Sequence, residues 1–330
     1  MMQHRLLGGT GLRVSSLCLG TLTFGDERPW GADEATSAAM LGAFAEAGGT
    51  FIDTAPNYGE GRAEEIVGKF LKGRRDKTVV ATKFTASLDP HPLAGGNGRK
   101  AMRASVEASL KRLGTDYIDL LWMHFWDGTT PLEEILRGLD DLMREGKILY
   151  AGLSDTPAWL VSRALTLAEW RGWDRIAAIQ IEYNIAARTP ERELLPMAAA
   201  LDLGVVCWGP LAAGALAGGE PTRMAKLPAP LAAAASALAD VSRDTDYPAA
   251  ALAIGWLIGR GHIPLIGART GEQLAASLAM TDIPAEILAR IDAIMPPEPG
   301  FPHALIGSSY LRRFALGDPQ LIAAPRRPRA

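Results

Sequence analysis

Cysteine is scarce in this chain: 330 residues hold only Cys18 and Cys207. Both fall in apolar runs and read as small buried hydrophobes, which excludes a disulfide framework. Long hydrophobic runs are also missing. No stretch reaches the roughly 18 apolar residues that a membrane helix needs, so no membrane partner is expected. The opening MMQHRLLGGTG has no apolar core of a secretory signal, and a reducing cytoplasm is the expected location. Charge of one sign is low, with a formal net charge of −3. The one basic run, PRRPRA at the end, reads as a frayed terminus, so no nucleic-acid partner is expected. The five histidines lie far apart. With no H-E-x-x-H and no cysteine pair at zinc spacing, no metal is expected. No P-loop occurs, GGTGLR has the wrong spacing for a dinucleotide fingerprint, and GLSDT lacks the last glycine of a nucleophile elbow.

What is present is an ordinary globular composition, 48% apolar and 22% charged, arranged in a rhythm. Eight short apolar runs alternate with amphipathic segments: SSLCLG (15–20), TFID (50–53), VVATK (79–83), YIDLLWMH (117–124), LYAGLS (149–154), AAIQIE (177–182), GVVCWG (204–209) and IPLIG (263–267). Continuous short runs bounded by turn residues suit strands buried on both faces of a parallel sheet. Between them, Met102, Val106, Leu110 and Leu113 share one helical face, and Gly114 is placed to end that helix. Leu132, Ile135, Leu136 and Leu139 form a second stripe, with Thr130 and Glu133 spaced as a capping box around Pro131. Met40, Leu41 and Phe44 mark a third helix over 33–47 that stops at Gly48–Gly49.

Eight strand–helix units predict an α/β fold, a (β/α)8 TIM barrel, as one domain over 1–330. Residues 1–15 read as a hairpin that plugs the barrel floor. The stretch 211–247 reads as an inserted loop followed by a helix, and 296–330 as a C-terminal extension across the barrel. A doubly wound open sheet is the alternative.

In such a barrel the chemistry sits at the carboxyl ends of the strands. Run two ends on Asp53, run three on Lys83 and run four on His124, and Tyr58 follows in the loop after run two. A lysine ammonium beside a phenol favours the phenolate and should lower the phenol pKa from near 10. Asp53 would keep the buried lysine charged, and a neutral histidine could donate to a carbonyl oxygen. Together these groups could polarise and protonate a carbonyl while something else delivers hydride. Paired glycosidase carboxylates remain open to a barrel, but they leave Lys83 and Tyr58 unexplained.

The sequence resembles the aldo-keto reductases, specifically their aryl-alcohol-dehydrogenase-like branch. GGTFIDTAPNYGEGRAEEIVGKFL is similar to the family's Asp–Tyr signature, VVATKF to its lysine strand, YIDLLWMH to its histidine strand and LRGLDDLMREGKILYAGLSD to its middle signature. The resemblance implies that Asp53, Tyr58, Lys83 and His124 form the catalytic tetrad, with Tyr58 as general acid. It implies NADP(H), with NAD(H) less favoured, bound on the rim without a Rossmann domain. Ser154, Asp155 and Gln180 would hold the nicotinamide carboxamide, and Trp208 would stack on the ring. Thr21, Gly209, Pro210, Leu211, Gly214 and Leu216 would surround the nicotinamide and pyrophosphate, and Gly267, Arg269 and Gln273 the adenosine end. Asp155 stands where many members carry Asn.

The partner implied is a small carbonyl or alcohol substrate. Phe24, Trp30, Phe125 and Trp126 lie on three loops at the expected mouth and suggest a flat or apolar substrate. The alternative for the two tryptophans is simple loop packing. A second function that fits the resemblance is a cofactor-sensing regulatory subunit with vestigial turnover. Nothing in the sequence sets the oligomeric state, and a monomer is compatible with it.

Overall fold

The computed structural model describes residues 2–218, 226–279 and 283–317. After an antiparallel hairpin of β1 (His4–Leu6) and β2 (Arg13–Ser15), eight parallel strands close into a barrel. They are β3 (Cys18–Gly20), β4 (Phe51–Asp53), β5 (Val79–Phe84), β6 (Ile118–Met123), β7 (Ile148–Ser154), β8 (Ile176–Glu182), β9 (Gly204–Trp208) and β10 (Ile263–Ile266). Each strand pairs with the next, and β10 closes on β3 through Leu265 and Cys18. The fold is therefore a (β/α)8 TIM barrel with an N-terminal hairpin, and all eight apolar runs are its strands.

The period of two along each strand sorts the side chains into two cores. Phe51, Ala81, Leu120, Trp122, Ala178 and Val206 point inward and form one buried cluster. Leu19, Ile52, Val80, Leu121, Ile179 and Cys207 point outward and pack against the helices. Cys18 and Cys207 are both free and buried, on opposite faces of the barrel wall. The hairpin contributes Leu7 and Val14 to the inner cluster, which is how it plugs the floor. Gly8 has φ +55°, and a Cβ there would lie 2.5 Å from the Gly204 nitrogen, so the plug seats by direct backbone approach.

The helices follow in order: α1 (Glu34–Glu46), α2 (Arg62–Leu71), α3 (Arg99–Leu113), α4 (Leu132–Arg144), α5 (Ala158–Arg171), α6 (Leu194–Ala200), α7 (Ala229–Thr245), α8 (Ala249–Gly259), α9 (Gly271–Leu278), α10 (Ala285–Asp292), α11 (His303–Ile306) and α12 (Ser309–Leu316). The expected stripes are the packed faces. Met102, Val106 and Leu113 of α3 are buried, and Gly114 ends that helix at φ 61°. Leu132, Ile135, Leu136 and Leu139 of α4 are buried as well. The capping box before α4 does not form. Pro131 is the N-cap, the Thr130 hydroxyl donates to Asp127 Oδ2 at 2.7 Å, and Glu133 pairs with Arg163. A nearer carboxylate has taken the Thr130 hydroxyl.

Helix α7 occupies the end of the stretch expected to be a loop and a helix, and residues 219–225 of that stretch lie outside the described residues. Of the C-terminal extension, α11 and α12 are described, while 318–330, including PRRPRA, lie outside the described residues. The extension rests on the loop after β8: His303 Nε2 lies 2.7 Å from Glu193 Oε1, and Gly300 abuts Arg192.

One inner-core contact is tight enough to test. The Trp122 ring lies against Gly152, where a Cβ would meet a ring carbon at 2.2 Å and the Ala178 carbonyl oxygen at 3.0 Å. Neither backbone nor a buried indole can yield easily. Gly152→Ala is expected to lower stability by about 1–3 kcal/mol through overpacking. A fall in melting temperature checks this, and an unchanged value would show that the ring can move aside.

Candidate active site

The inward parity of the strands carries on to their carboxyl ends. Asp53 follows Phe51, Lys83 follows Ala81, His124 follows Trp122, Gln180 follows Ala178 and Trp208 follows Val206, each two residues on. Polar side chains thus replace the apolar lining at the top of the same barrel interior.

Lys83 and Asp53 form an ion pair in which each side chain is only 1% exposed. Lys83 Nζ also donates to the Thr54 carbonyl at 3.0 Å, and Gln180 Nε2 donates to Asp53 Oδ1 at 2.9 Å. Asp53 is therefore held by two donors, which suits a buried charge. Thr21 is fully buried, and its Oγ1 and backbone N–H donate to the Asp53 carbonyl at 3.1 and 3.0 Å, tying β3 to the end of β4.

Tyr58 opens a short turn in the loop after β4, where Gly59 and Glu60 both take positive φ. The turn brings the tyrosine back over the barrel mouth. The Lys83 ammonium lies 4.9 Å from the Tyr58 ring centroid, and the His124 ring lies 6.3 Å from it at 79°. The four groups expected to converge do converge.

Their protonation states follow from burial and from one another. Burial opposes the Lys83 charge, but Asp53 and then Tyr58 outweigh it and hold the ammonium above its usual range. His124 is lowered to about 3, first by burial and second by the Lys83 charge, so it is neutral at ordinary pH. Tyr58 departs from the expectation: its pKa is raised. Burial of the phenol is the largest cause, and Asp53 offsets part of the Lys83 attraction. The Lys83 cation alone would lower the phenol pKa, but desolvation of the phenolate outweighs it. The phenol stays protonated through the neutral range, the state a proton donor needs.

The other rim residues surround this centre. Ser154 Oγ is buried with no hydrogen-bond partner, and His124 Nδ1 is likewise unpartnered. A bound polar ligand would satisfy both. One Gln180 amide N–H is taken by Asp53, which leaves its second N–H and its Oε1 for a ligand. Trp208 Nε1 donates to Asp155 Oδ1 at 3.0 Å, which fixes the indole at the rim and uses one Asp155 oxygen. Gly209 has φ +67° and its carbonyl accepts from Asn184 Nδ2 at 2.9 Å; Pro210 is buried behind it. The loop from Leu211 turns through Gly214 at φ +100° and is anchored by Leu216, only 1% exposed. A Cβ on Gly267 would meet nothing within 4 Å, so the rim is open there. The Arg269 guanidinium pairs with no carboxylate among the described residues. Its backbone N–H donates to Gln273 Oε1 at 2.9 Å, which leaves only the Gln273 amide nitrogen for a ligand. An unpaired guanidinium, an open glycine, an indole face and an orphaned hydroxyl along one arc of the rim fit an extended dinucleotide.

At the mouth, Phe125 is 41% exposed and Trp126 is half-buried, T-stacked on the exposed Trp159 at 5.9 Å. Trp159 was not singled out from the sequence because it opens a helix far along the chain. Trp30 lies beneath the Arg28 guanidinium, 5.0 Å from its ring centre. Phe24 corrects the expectation. It is 1% exposed and packs in the outer core with Leu19 and Phe44, because its backbone pairs with Ala32 and turns it away from the mouth.

Comparison with known proteins agrees with this geometry. Residues 16–296 match the family model of the aldo/keto reductase family. The chain is 37% identical to norsolorinic acid reductase of Emericella nidulans, over 94% of this chain and 86% of that protein. It is 35% identical to aryl-alcohol dehydrogenase [NADP(+)] of Phanerodontia chrysosporium, over 92% and 89% of the two chains. It is 32% identical to a putative aryl-alcohol dehydrogenase of Saccharomyces cerevisiae, over 92% and 89%. A closed eight-stranded barrel, polar groups gathered at its carboxyl rim and a match over nearly the whole length lead to one conclusion: the chain belongs to the aldo/keto reductase family and is an oxidoreductase.

Proposed function

We propose that this protein reduces an aldehyde or ketone to the alcohol with NADPH, or runs the reverse oxidation, and that Tyr58 is the proton donor. The observation that carries the reading is the Tyr58 phenol beside the buried Lys83–Asp53 pair, with the His124 imidazole on its other side; burial raises the phenol pKa and keeps the imidazole neutral. When bound, the reduced nicotinamide supplies hydride to the carbonyl carbon. As negative charge grows on the carbonyl oxygen, Tyr58 Oη gives up its proton. The phenolate left behind faces the Lys83 ammonium, and Asp53 keeps that ammonium charged. His124, neutral at ordinary pH, donates a hydrogen bond that orients the carbonyl.

Ser154, the Gln180 carbonyl oxygen and the free Asp155 oxygen would hold the carboxamide, with Thr21 supporting the strand beneath. Trp208 offers its face to the ring. The backbone from Gly209 and Pro210 through Leu211, Gly214 and Leu216 would cover the pyrophosphate, and Gly267 and the Gln273 amide would flank the adenosine. The guanidinium of Arg269 suits a 2′-phosphate, which favours NADPH over NADH. Phe125, Trp126 and Trp30 favour a flat aromatic substrate. Two relatives carry names of that kind, norsolorinic acid reductase and aryl-alcohol dehydrogenase.

The test is to follow NADPH and NADH absorbance with a panel of aromatic and aliphatic aldehydes and ketones. NADPH consumption with aromatic carbonyls is the expected result. Arg269→Ala should reduce the NADPH-over-NADH preference about 10- to 100-fold, the worth of a charge-assisted contact. Tight NADPH binding without consumption of any carbonyl would replace this reading with a cofactor-sensing role.

A further inference from the structure

Asn97 is a fully buried polar side chain that the mechanism does not use. It stands just before α3, at the end of the loop that follows β5. Its amide nitrogen donates to Thr85 Oγ1 at 2.6 Å and to the Phe125 carbonyl at 3.2 Å. Its amide oxygen accepts from the Asp127 backbone N–H at 2.7 Å, and its own backbone N–H donates to Asp127 Oδ2 at 2.8 Å. Asp127 in turn accepts from the Thr129 and Thr130 backbone N–H groups at 2.9 and 2.8 Å. The contacts are reciprocal and saturate most of the amide, so the two loops are locked in one register.

The position of this clamp matters. Thr85 comes two residues after Lys83, and Phe125 comes directly after His124. Thr85 takes φ +100°, a region a β-branched residue avoids without external support, and Asn97 supplies a hydrogen bond to its hydroxyl. The segment 125–127 is grasped at both ends, at the Phe125 carbonyl and the Asp127 N–H, so the backbone that leaves His124 cannot shift independently of β5. His124 Nδ1 has no hydrogen-bond partner among the described residues, so the ring is held there only by packing against Tyr58 and Phe125. The rest of its setting comes from backbone, where its N–H donates to the Phe84 carbonyl at 3.1 Å.

We infer that Asn97 is a positioning residue, which sets His124 against Lys83 and Tyr58 and holds Phe125 and Trp126 at the mouth, by clamping the β5 and β6 loops together. This rests on the proposed carbonyl reduction only for its kinetic consequence. The geometric consequence stands by itself: release of the clamp lets the 124–127 segment open and admits water to the imidazole.

The test uses two variants. Asn97→Ala removes the three side-chain bonds of the clamp and leaves the backbone N–H bond to Asp127. Thr85→Val removes only the hydroxyl that accepts from it, with nearly the same shape, and keeps the test available if the first variant folds poorly. The first readout is an NMR titration of the His124 imidazole. In the unaltered protein its midpoint is held at about 3 by burial and by Lys83. In Asn97→Ala it is expected to rise toward the ordinary value of about 6.5, and by a smaller step in Thr85→Val. The second readout is kinetic: kcat for an aromatic aldehyde falls about 10- to 100-fold, the effect of a displacement near 1 Å, while NADPH affinity changes little; the melting temperature falls in both variants, because buried groups lose their partners. An unmoved His124 midpoint in both variants overturns the inference. So does a loss of NADPH affinity as large as the loss of kcat, which marks a merely structural role. If the unaltered protein reduces no carbonyl, the function reading fails but the imidazole titration still decides this inference.

Discussion

Tyr58→Phe is expected to lower carbonyl-reducing turnover by about 10²- to 10⁴-fold, the usual worth of a positioned general acid. NADPH affinity should be kept, because the change removes one oxygen from a ring that remains packed. The ring makes its edge contact with His124 and lies under the Lys83 ammonium whether or not the hydroxyl is present. The expected signature is a fall in kcat with cofactor binding, read by fluorescence titration, unchanged. The raised phenol pKa sharpens the expectation. The unaltered enzyme should show no loss of the acid through the neutral range, since burial holds the proton on Tyr58 Oη. A phenylalanine variant with near-normal turnover would remove Tyr58 from the proton-donor role and return the question to His124.

The second large effect concerns the buried ion pair. Lys83→Met keeps most of the side-chain volume and removes the charge, which leaves the Asp53 carboxylate with Gln180 as its remaining side-chain donor. An uncompensated charge at 1% exposure costs about 3–5 kcal/mol, so the variant should unfold at distinctly lower denaturant concentration as well as lose activity. The second substitution is informative. Asp53→Asn combined with Lys83→Met removes both charges and should regain most of the lost stability, because no orphaned ion remains. Activity should not return, since the phenolate would still lack its ammonium. Equal stability of Lys83→Met and the unaltered protein would show that Asp53 sheds its charge at little cost. The double variant would then tell nothing about pairing, and the counter-ion role of Asp53 would fall.

The comparison of sequence with structure is clearest at particular residues. Asp53, Lys83 and His124 were legible because a strand's register is local: each stands two residues beyond an inward apolar side chain, at the end of a run bounded by turns. The helix stripes through Met102 and Leu139 were legible for the same kind of reason. The failed capping box at Thr130 is also local, but there a carboxylate three residues back, Asp127, competed for the same hydroxyl. Phe24, read as a mouth residue, lies in the core because a backbone bridge to Ala32 turned its loop inward.

The direction of the Tyr58 shift and the Asn97 clamp were beyond sequence reasoning. A phenol's pKa depends on how much solvent is excluded by residues from separate strands, and that sum has no local signature. Asn97 sits in a glycine-rich loop where a lone Asn reads as a turn former, and its partners lie 12 to 30 positions away.

The sequence by itself determined the strand–helix rhythm, the inward face of each strand and the polar residue that ends it, because backbone geometry imposes a period of two on any strand. Only the tertiary structure decided which of those ends meet, how dry their meeting place is and what clamps the loops above it. Those depend on closure of the barrel, where β10 joins β3 and residues more than 240 positions apart come into register; separation of that kind leaves no trace in the neighbouring residues of either strand.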